Sequence, residues 1–293
     1  MRMHADQVDL TADVVAGLVA DQFPRWRHLT VQPVTSHGTV NALFRLGHDI
    51  VLRFPLRPDT ELRDALLHEQ DQARRIAAQV PLAVPEPIAI GEPGNGYPGW
   101  WTAYRWIPGD TANQRTIGDS DAFARDLASF VNAMHRMDTD GHRWNGLTRG
   151  GPLYTRDDDV RRALAESTHL IDTARLAQVW DRCLDTPHTA SDAWIHADLM
   201  PGNLLVHGGR LVAVIDLEAV CIGDPAVDLM PAWNLLPIDA RRTYRRALRV
   251  DDATWERGRG WALVQAIVAL PYYVDTNPVM ADTARRTLEA VLE

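Results

Sequence analysis

The hydrophobic periodicity of this chain changes at Pro108-Gly109, and that change bounds the folds open to it. Upstream, apolar residues come in short β-type runs over 29–34, 42–46, 50–54, 88–91 and 101–106. Gly47-His48-Asp49 is a hairpin turn between the second and third of these runs. A first helix carries Leu10, Val14, Leu18 and Val19 on one face, and a second is expected over 60–80, stopped by Pro81, Pro85 and Pro87. Downstream the spacing turns helical. Phe123, Leu127, Phe130, Val131 and Met134 form one apolar stripe, and further helices are expected over 170–184, 226–236, 241–248, 255–270 and 281–292. The pattern predicts an α+β chain: a small β-rich part over 1–106, and a larger, mainly helical part over 107–293, joined at a short hinge flanked by tryptophan.

One β island interrupts the helical part, at 204–206 and 211–215, around His207-Gly208-Gly209. Asp198 and Asn203 lie in a Pro/Gly loop just before its first strand, and Asp216 closes its second. A hairpin brings its two ends together, so these three side chains are expected to converge at one mouth. Two carboxylates and an amide carbonyl are hard oxygen donors, suited to Mg²⁺ and poorly suited to zinc.

Composition removes several competing chemistries. All 30 basic residues are arginine, which excludes both a lysine Schiff base and a GxxxxGK[ST] phosphate loop. The net charge of -9 argues against a nucleic-acid partner and favours a cationic or neutral one. Cys183 and Cys221 are the only cysteines and form no CxxC, so a disulfide framework or structural zinc is not expected and a reducing, cytoplasmic setting is. The first ten residues carry acids and no apolar core, so no signal peptide is read there. The longest run free of both charged residues and histidine, 260–274, holds Gln265 and Pro271. It is shorter than the roughly 20 residues that span a bilayer, so it reads as a buried helix rather than a membrane anchor.

The run from Trp194 to Leu229 resembles the catalytic region of the aminoglycoside phosphotransferase family, which has a bilobal protein-kinase-like fold. His196, Asp198 and Asn203 match its H-x-D-x-x-x-x-N loop, Ile215-Asp216-Leu217-Glu218 its I-D segment, and Gly223 to Leu229 its G-D-P-x-x-D-L tail. Upstream, Ser36 to Asn41 matches the position of the family's phosphate loop. Arg53 stands where kinases carry a lysine, Glu69 where its partner glutamate belongs, and Tyr104 to Gly109 at the interlobe hinge.

The resemblance implies a small-molecule O-phosphotransferase that moves the γ-phosphate of ATP or GTP to a hydroxyl of an aminoglycoside-type antibiotic. Asp198 would be the base, and Asn203 and Asp216 would hold Mg²⁺. Ser36, Gly38, Arg53, Glu69, Tyr104 and Trp106 would bind the nucleotide. Glu218, Trp233, Tyr272 and Asp275 are candidates for the acceptor pocket. His196 and Asp228 read as structural supports of the loop, Asp224 as a helix cap, and Asp157-Asp158-Asp159 as a helix start. Two features depart from the family pattern: arginine at 53, and a phosphate loop with one glycine. The segment 229–236 holds no carboxylate, which keeps a macrolide phosphotransferase or a sugar or amino-alcohol kinase as alternatives. A nucleotide-binding pseudokinase is the alternative of another class, and a metal-dependent hydrolase ranks last. The expected assembly is a monomer or a dimer.

Overall fold

In the computed structural model, which describes residues 7–35, 40–188 and 190–293, Thr11 caps the first helix, α1 (Ala12–Gln22). Its hydroxyl accepts from the Val14 amide at 3.3 Å. Five strands follow: β1 (Val31–Val34), β2 (Asn41–Leu46), β3 (Ile50–Pro55), β4 (Pro87–Gly91) and β5 (Trp101–Arg105). They form one antiparallel sheet in the order β1-β2-β3-β5-β4. Alternation along β3 buries Ile50, Leu52 and Phe54 on one face and leaves Val51, Arg53 and Pro55 half-buried on the other. The buried face joins Val15, Leu18 and Val19 of α1 in a single core. There Phe54 stacks on Trp101 at 5.0 Å and meets Tyr97 edge-on at 5.1 Å.

Between β3 and β4 lies α2 (Arg63–Ala77), fastened to β4 by Gln70 Nε2 donating to the Ala89 carbonyl at 3.2 Å. It is shorter at both ends than the stretch 60–80 suggests. The Thr60 carbonyl accepts from the Trp100 indole at 2.9 Å, and Asp59 takes the Glu61 amide, so these residues are committed outside the helix. The described residues up to Ala78, with Ala83–Pro108, make up this first unit.

The second unit comprises Gln79–Leu82 and Gly109–Glu293. Its helices are α3 (Ser120–His135), α4 (Asp157–Glu166), α5 (Thr173–Leu184), α6 (Pro231–Asn234), α7 (Ile238–Leu248), α8 (Asp252–Tyr273) and α9 (Pro278–Val291). Its strands are β6 (Asp110–Thr111), β7 (Ala193–Ile195), β8 (Leu204–His207), β9 (Arg210–Val214) and β10 (Cys221–Gly223). The α3 stripe is wholly buried, and Asp119 caps the helix by accepting from the amides of Asp121 and Ala122. Asp157, Asp158 and Asp159 fill the first turn of α4, as a helix start favours.

The stretch 226–236, expected as one helix, is two pieces. A 3₁₀ turn runs over Pro225–Leu229, and α6 then restarts at Pro231, which has no amide hydrogen to continue the first. The pairings β7 with β10 and β6 with β8 have no counterpart in the sequence reading, because two- and three-residue strands carry no readable alternation. Asp224 does cap the turn after it, accepting from the Ala226 amide at 3.0 Å, but capping is only part of its role. It also pairs with buried Arg257 of α8 through two hydrogen bonds of 2.7 and 3.2 Å. Among the described residues, no helix is long and apolar enough to cross a membrane.

Candidate functional site

Gly208 and Gly209 join β8 to β9 with φ of 56° and 78°, the left-handed pair that a two-residue turn demands of a right-twisted hairpin. The turn pairs His207 with Arg210, and a bulge between Leu205 and Val206 then shifts the register by one residue so that Leu204 faces Val214. The ladder continues one step further: the Ile215 amide donates to the Asn203 carbonyl at 2.8 Å. That hydrogen bond sets Asn203 beside the residue preceding Asp216. The strand ends at Val214, two residues before Asp216, whose own φ is 65°. A left-handed aspartate turns the chain out of the ladder and costs about 1 kcal/mol.

The loop before β8 is held from beneath. Asp228, fully buried, accepts from the amides of His196 and Ala197 at 3.0 and 2.9 Å, and its Oδ2 lies 3.1 Å from His135 Nε2. The Tyr244 hydroxyl donates to the Asp228 carbonyl at 2.8 Å. These contacts fix Ala197 in the left-handed region, at φ 62°. His196 bridges the loop to the hairpin: its Nδ1 accepts from the Asp198 amide at 3.3 Å, and its Nε2 lies 3.2 Å from the Ile215 carbonyl. An amide can only donate and a carbonyl only accept, so Nε2 carries the ring proton. The imidazole is therefore a strut between the two halves of the site.

Asp198 sits at the end of this scaffold. Asn203 Nδ2 donates to its carbonyl at 2.9 Å and to its Oδ2 at 3.0 Å. Its Oδ1 accepts from Gln265 Nε2 at 2.9 Å and from Arg149 Nη1 at 2.5 Å. Arg149 also donates to the Ala197 carbonyl at 3.1 Å. The sequence reading identifies neither Arg149 nor Gln265 as a site residue. Gln265 had a signal available: it is the one polar amide in an uncharged run of α8.

Because its nitrogen is turned to Asp198, Asn203 directs Oδ1 the other way. That oxygen and the Asp216 carboxylate are hard donors on adjoining chain ends, a set that fits Mg²⁺, which takes few protein ligands and keeps water and phosphate oxygens for the rest. Among the described residues, no three His, Cys, Asp or Glu side chains gather into a metal cluster of another kind. Cys183 and Cys221 are free, and burial raises both thiols, so neither is a ready thiolate.

In the first unit, Arg53 Nη1 lies 2.8 Å from Glu69 Oε1, with side chains 14% and 12% exposed. The Tyr104 hydroxyl donates to the same oxygen at 3.1 Å, and its ring lies 5.6 Å from the Arg53 guanidinium. Burial, and then the Glu69 charge, push the Tyr104 hydroxyl upward, so it remains a donor. Tyr104 thus reaches Glu69 through its side chain, while its backbone lies between β3 and β4. The Trp106 amide donates to the Asp49 carbonyl at 2.8 Å. Ser36 and Gly38 lie outside the described residues.

The four acceptor-pocket candidates differ in their surroundings. Trp233 is buried against Trp255 at 4.9 Å, a core role. Tyr272 is exposed and meets Tyr273 edge-on at 4.7 Å, and Glu218 and Asp275 are exposed. None of them lines the cavity whose walls come from Met200, Met230, Asn234, Gln265 and α9.

A model described as the phosphotransferase enzyme family matches residues 30–261, well over half of the chain. No curated protein matches it by sequence. Among solved structures, it resembles the GDP and kanamycin complex of an APH(2") protein, with 18% identity over 94% of this chain and 97% of that one, and a TM-score of 0.73. The GDP complex of wild-type aminoglycoside 2'-phosphotransferase-IIIa is similar at 18% identity over 97% and 99% of the two chains, also with a TM-score of 0.73. The macrolide 2'-phosphotransferase MphH from Brachybacterium faecium is similar at 21% identity over 94% and 97%, with a TM-score of 0.63. At these identities the likeness to solved structures is one of fold.

Proposed function

Since the chain belongs to the phosphotransferase enzyme family, we propose that it transfers the γ-phosphate of ATP or GTP to a hydroxyl of a small-molecule acceptor, with Asp198 as the general base. The observation that carries this reading is the placement of Asp198. Its carboxylate is fixed by Asn203 and Gln265 at the mouth of the hairpin that also presents Asp216. In the reaction, Asp198 accepts a hydrogen bond from the acceptor hydroxyl and takes its proton as that oxygen bonds to the γ-phosphorus and the nucleoside diphosphate departs. Arg149 occupies Oδ1 and is 50% exposed, so it is the contact an arriving hydroxyl displaces.

Asn203 and Asp216 are the residues to hold Mg²⁺, which supplies charge neutralisation at the phosphate oxygens. Arg53, oriented by Glu69, is the cation for the phosphates, and a guanidinium does this bidentately where an amine would act as a point charge. The intact Asp198, Asn203 and Asp216 set supports an enzyme over a pseudokinase.

For the acceptor, the reading is an aminoglycoside-type polyamine: the net charge of -9 steers cations toward the chain. A second reading, a macrolide or other largely apolar acceptor with one amine, is favoured by the absence of carboxylates from 229–236. Thermal unfolding with Mg-ATP and Mg-GTP, followed by nucleotide consumption across an antibiotic panel, tests both parts. A rise in melting temperature with either nucleotide and turnover with one acceptor class are expected. No stabilisation by either nucleotide contradicts the proposal.

A further inference from the structure

Two buried amide oxygens beside Asp198 accept no hydrogen bond from any described residue: Asn234 Oδ1 of α6 and Gln265 Oε1 of α8. What their nitrogens do settles their orientation. Asn234 Nδ2 donates to the Leu199 carbonyl at 3.1 Å and faces Met200 Sδ at 3.6 Å, while Gln265 Nε2 donates to Asp198 Oδ1 at 2.9 Å. A carbonyl and a carboxylate accept only, so flipping either amide would set oxygen against oxygen. Both free oxygens therefore point away from the catalytic loop, and Asn234 as a residue is only 8% exposed.

Both residues line one cavity of about 10 Å³, room for a single water-sized group. Met200, Met230 and Met280 give it soft, adaptable walls. The two threonines that face it, Thr283 and Thr287, donate their hydroxyl hydrogens to the carbonyls of Val279 and Thr283 at 3.0 and 2.7 Å. The cavity is thus a set of acceptors without a donor.

We propose that this cavity is an amine subsite: a primary ammonium group of the acceptor donates to Asn234 Oδ1 and Gln265 Oε1 together. The two oxygens need at least two hydrogens on one small group, which a primary ammonium supplies with one to spare. A hydroxyl or a protonated tertiary amine has one hydrogen to give and satisfies one oxygen. A quaternary ammonium has none, and a guanidinium exceeds the space. Because the Gln265 amide holds Asp198 through its nitrogen and the ammonium through its oxygen, the amine and the hydroxyl of the acceptor are one amide group apart. The acceptor is therefore an amino alcohol with the two groups a few bonds from each other. The identity of the ligand as an acceptor rests on the proposed phosphotransferase activity. The binding of the amine does not.

The test compares 2-aminoethanol with its N,N,N-trimethyl counterpart, which keeps the hydroxyl and the charge but has no N–H. Binding of each is titrated against the full chain, its Asn234→Leu variant and its Gln265→Met variant, and unliganded melting temperatures report whether each variant folds. The wild type is expected to bind 2-aminoethanol more tightly than the trimethyl compound. A folded Asn234→Leu variant should lose about tenfold in affinity for 2-aminoethanol and little for the other, whereas Gln265→Met, which also releases Asp198, should weaken both but 2-aminoethanol more. Equal binding of the two compounds by the wild type, as a cavity holding only water would give, overturns the subsite, as does undiminished discrimination by a folded variant. If the discrimination holds while no acceptor consumes nucleotide, the subsite stands and the phosphotransferase reading falls. Turnover without discrimination has the opposite meaning.

Discussion

Arg53 and Glu69 are a pair on which stability and the proposed nucleotide binding both bear. They are 14% and 12% exposed, and Tyr104 adds a third contact to the same carboxylate oxygen. Arg53→Met leaves Glu69 half-desolvated without its cation, which is expected to cost about 2 kcal/mol in chemical denaturation. Nucleotide affinity, followed by calorimetry, should fall with it, whereas with Arg53→Lys, which keeps the charge and loses the bidentate fork, it should fall less. Asp251 offers a pH signature at the same scale. As the cap of α8 it accepts from the Thr254 amide at 2.6 Å, and that hydrogen bond holds its carboxyl below the usual range. A carboxyl lowered by folding contributes stability above its unfolded value and loses it as pH falls through the folded one. Asp251→Asn, which caps without titrating, is expected to flatten the acid side of the stability profile, measured by melting temperature against pH. Residues of this scale were unevenly legible. Asp198 and Asn203 stand five apart in one loop and could be read from spacing. Arg149 and Gln265 reach Asp198 from 49 and 67 residues away, and only folding reveals such contacts.

Among the elements, the β8–β9 hairpin positions the site most directly. Its two glycines are both left-handed, and a Cβ on Gly209 would meet the Gly118 backbone at 3.0 Å. Gly209→Val is therefore expected to destabilise the chain by about 1–2 kcal/mol from the backbone strain alone. It should also reduce phosphoryl transfer further than the lost stability explains, because the turn, with the bulge that follows it, sets Asn203 against Ile215. Turnover measured well below the variant's melting temperature checks this. The hairpin was readable because paired glycines between apolar runs have a local cause. The break at Pro231 was less so. The apolar spacing of 226–236 suits one helix, and the missing amide of a proline outweighs that spacing. Strands β7 and β10 owe their existence to pairing with each other and left no trace in the chain's own pattern.

Across the molecule, the shift from β alternation to helical spacing at Pro108-Gly109 was enough to give the α+β class. The buried ion pair was hidden from it. Asp224 looks like a cap in sequence, and its second partner, Arg257, lies 33 residues on. Removing one member of a fully buried pair leaves an uncompensated charge, so Arg257→Met is expected to cost about 3–5 kcal/mol, seen as a lower denaturation midpoint. The net charge acts at the same scale. If the acceptor is polycationic, raising ionic strength should raise its KM with little change in kcat, since salt screens long-range attraction.

The measurement that tests the whole account most directly is phosphoryl transfer by Asp198→Asn, assayed with the best acceptor from the panel and saturating Mg-nucleotide. The substitution keeps the shape of the side chain and removes its capacity to take a proton. A fall in kcat of about 10²–10⁴-fold with nucleotide binding retained is expected. A variant that transfers phosphate at the wild-type rate would contradict it.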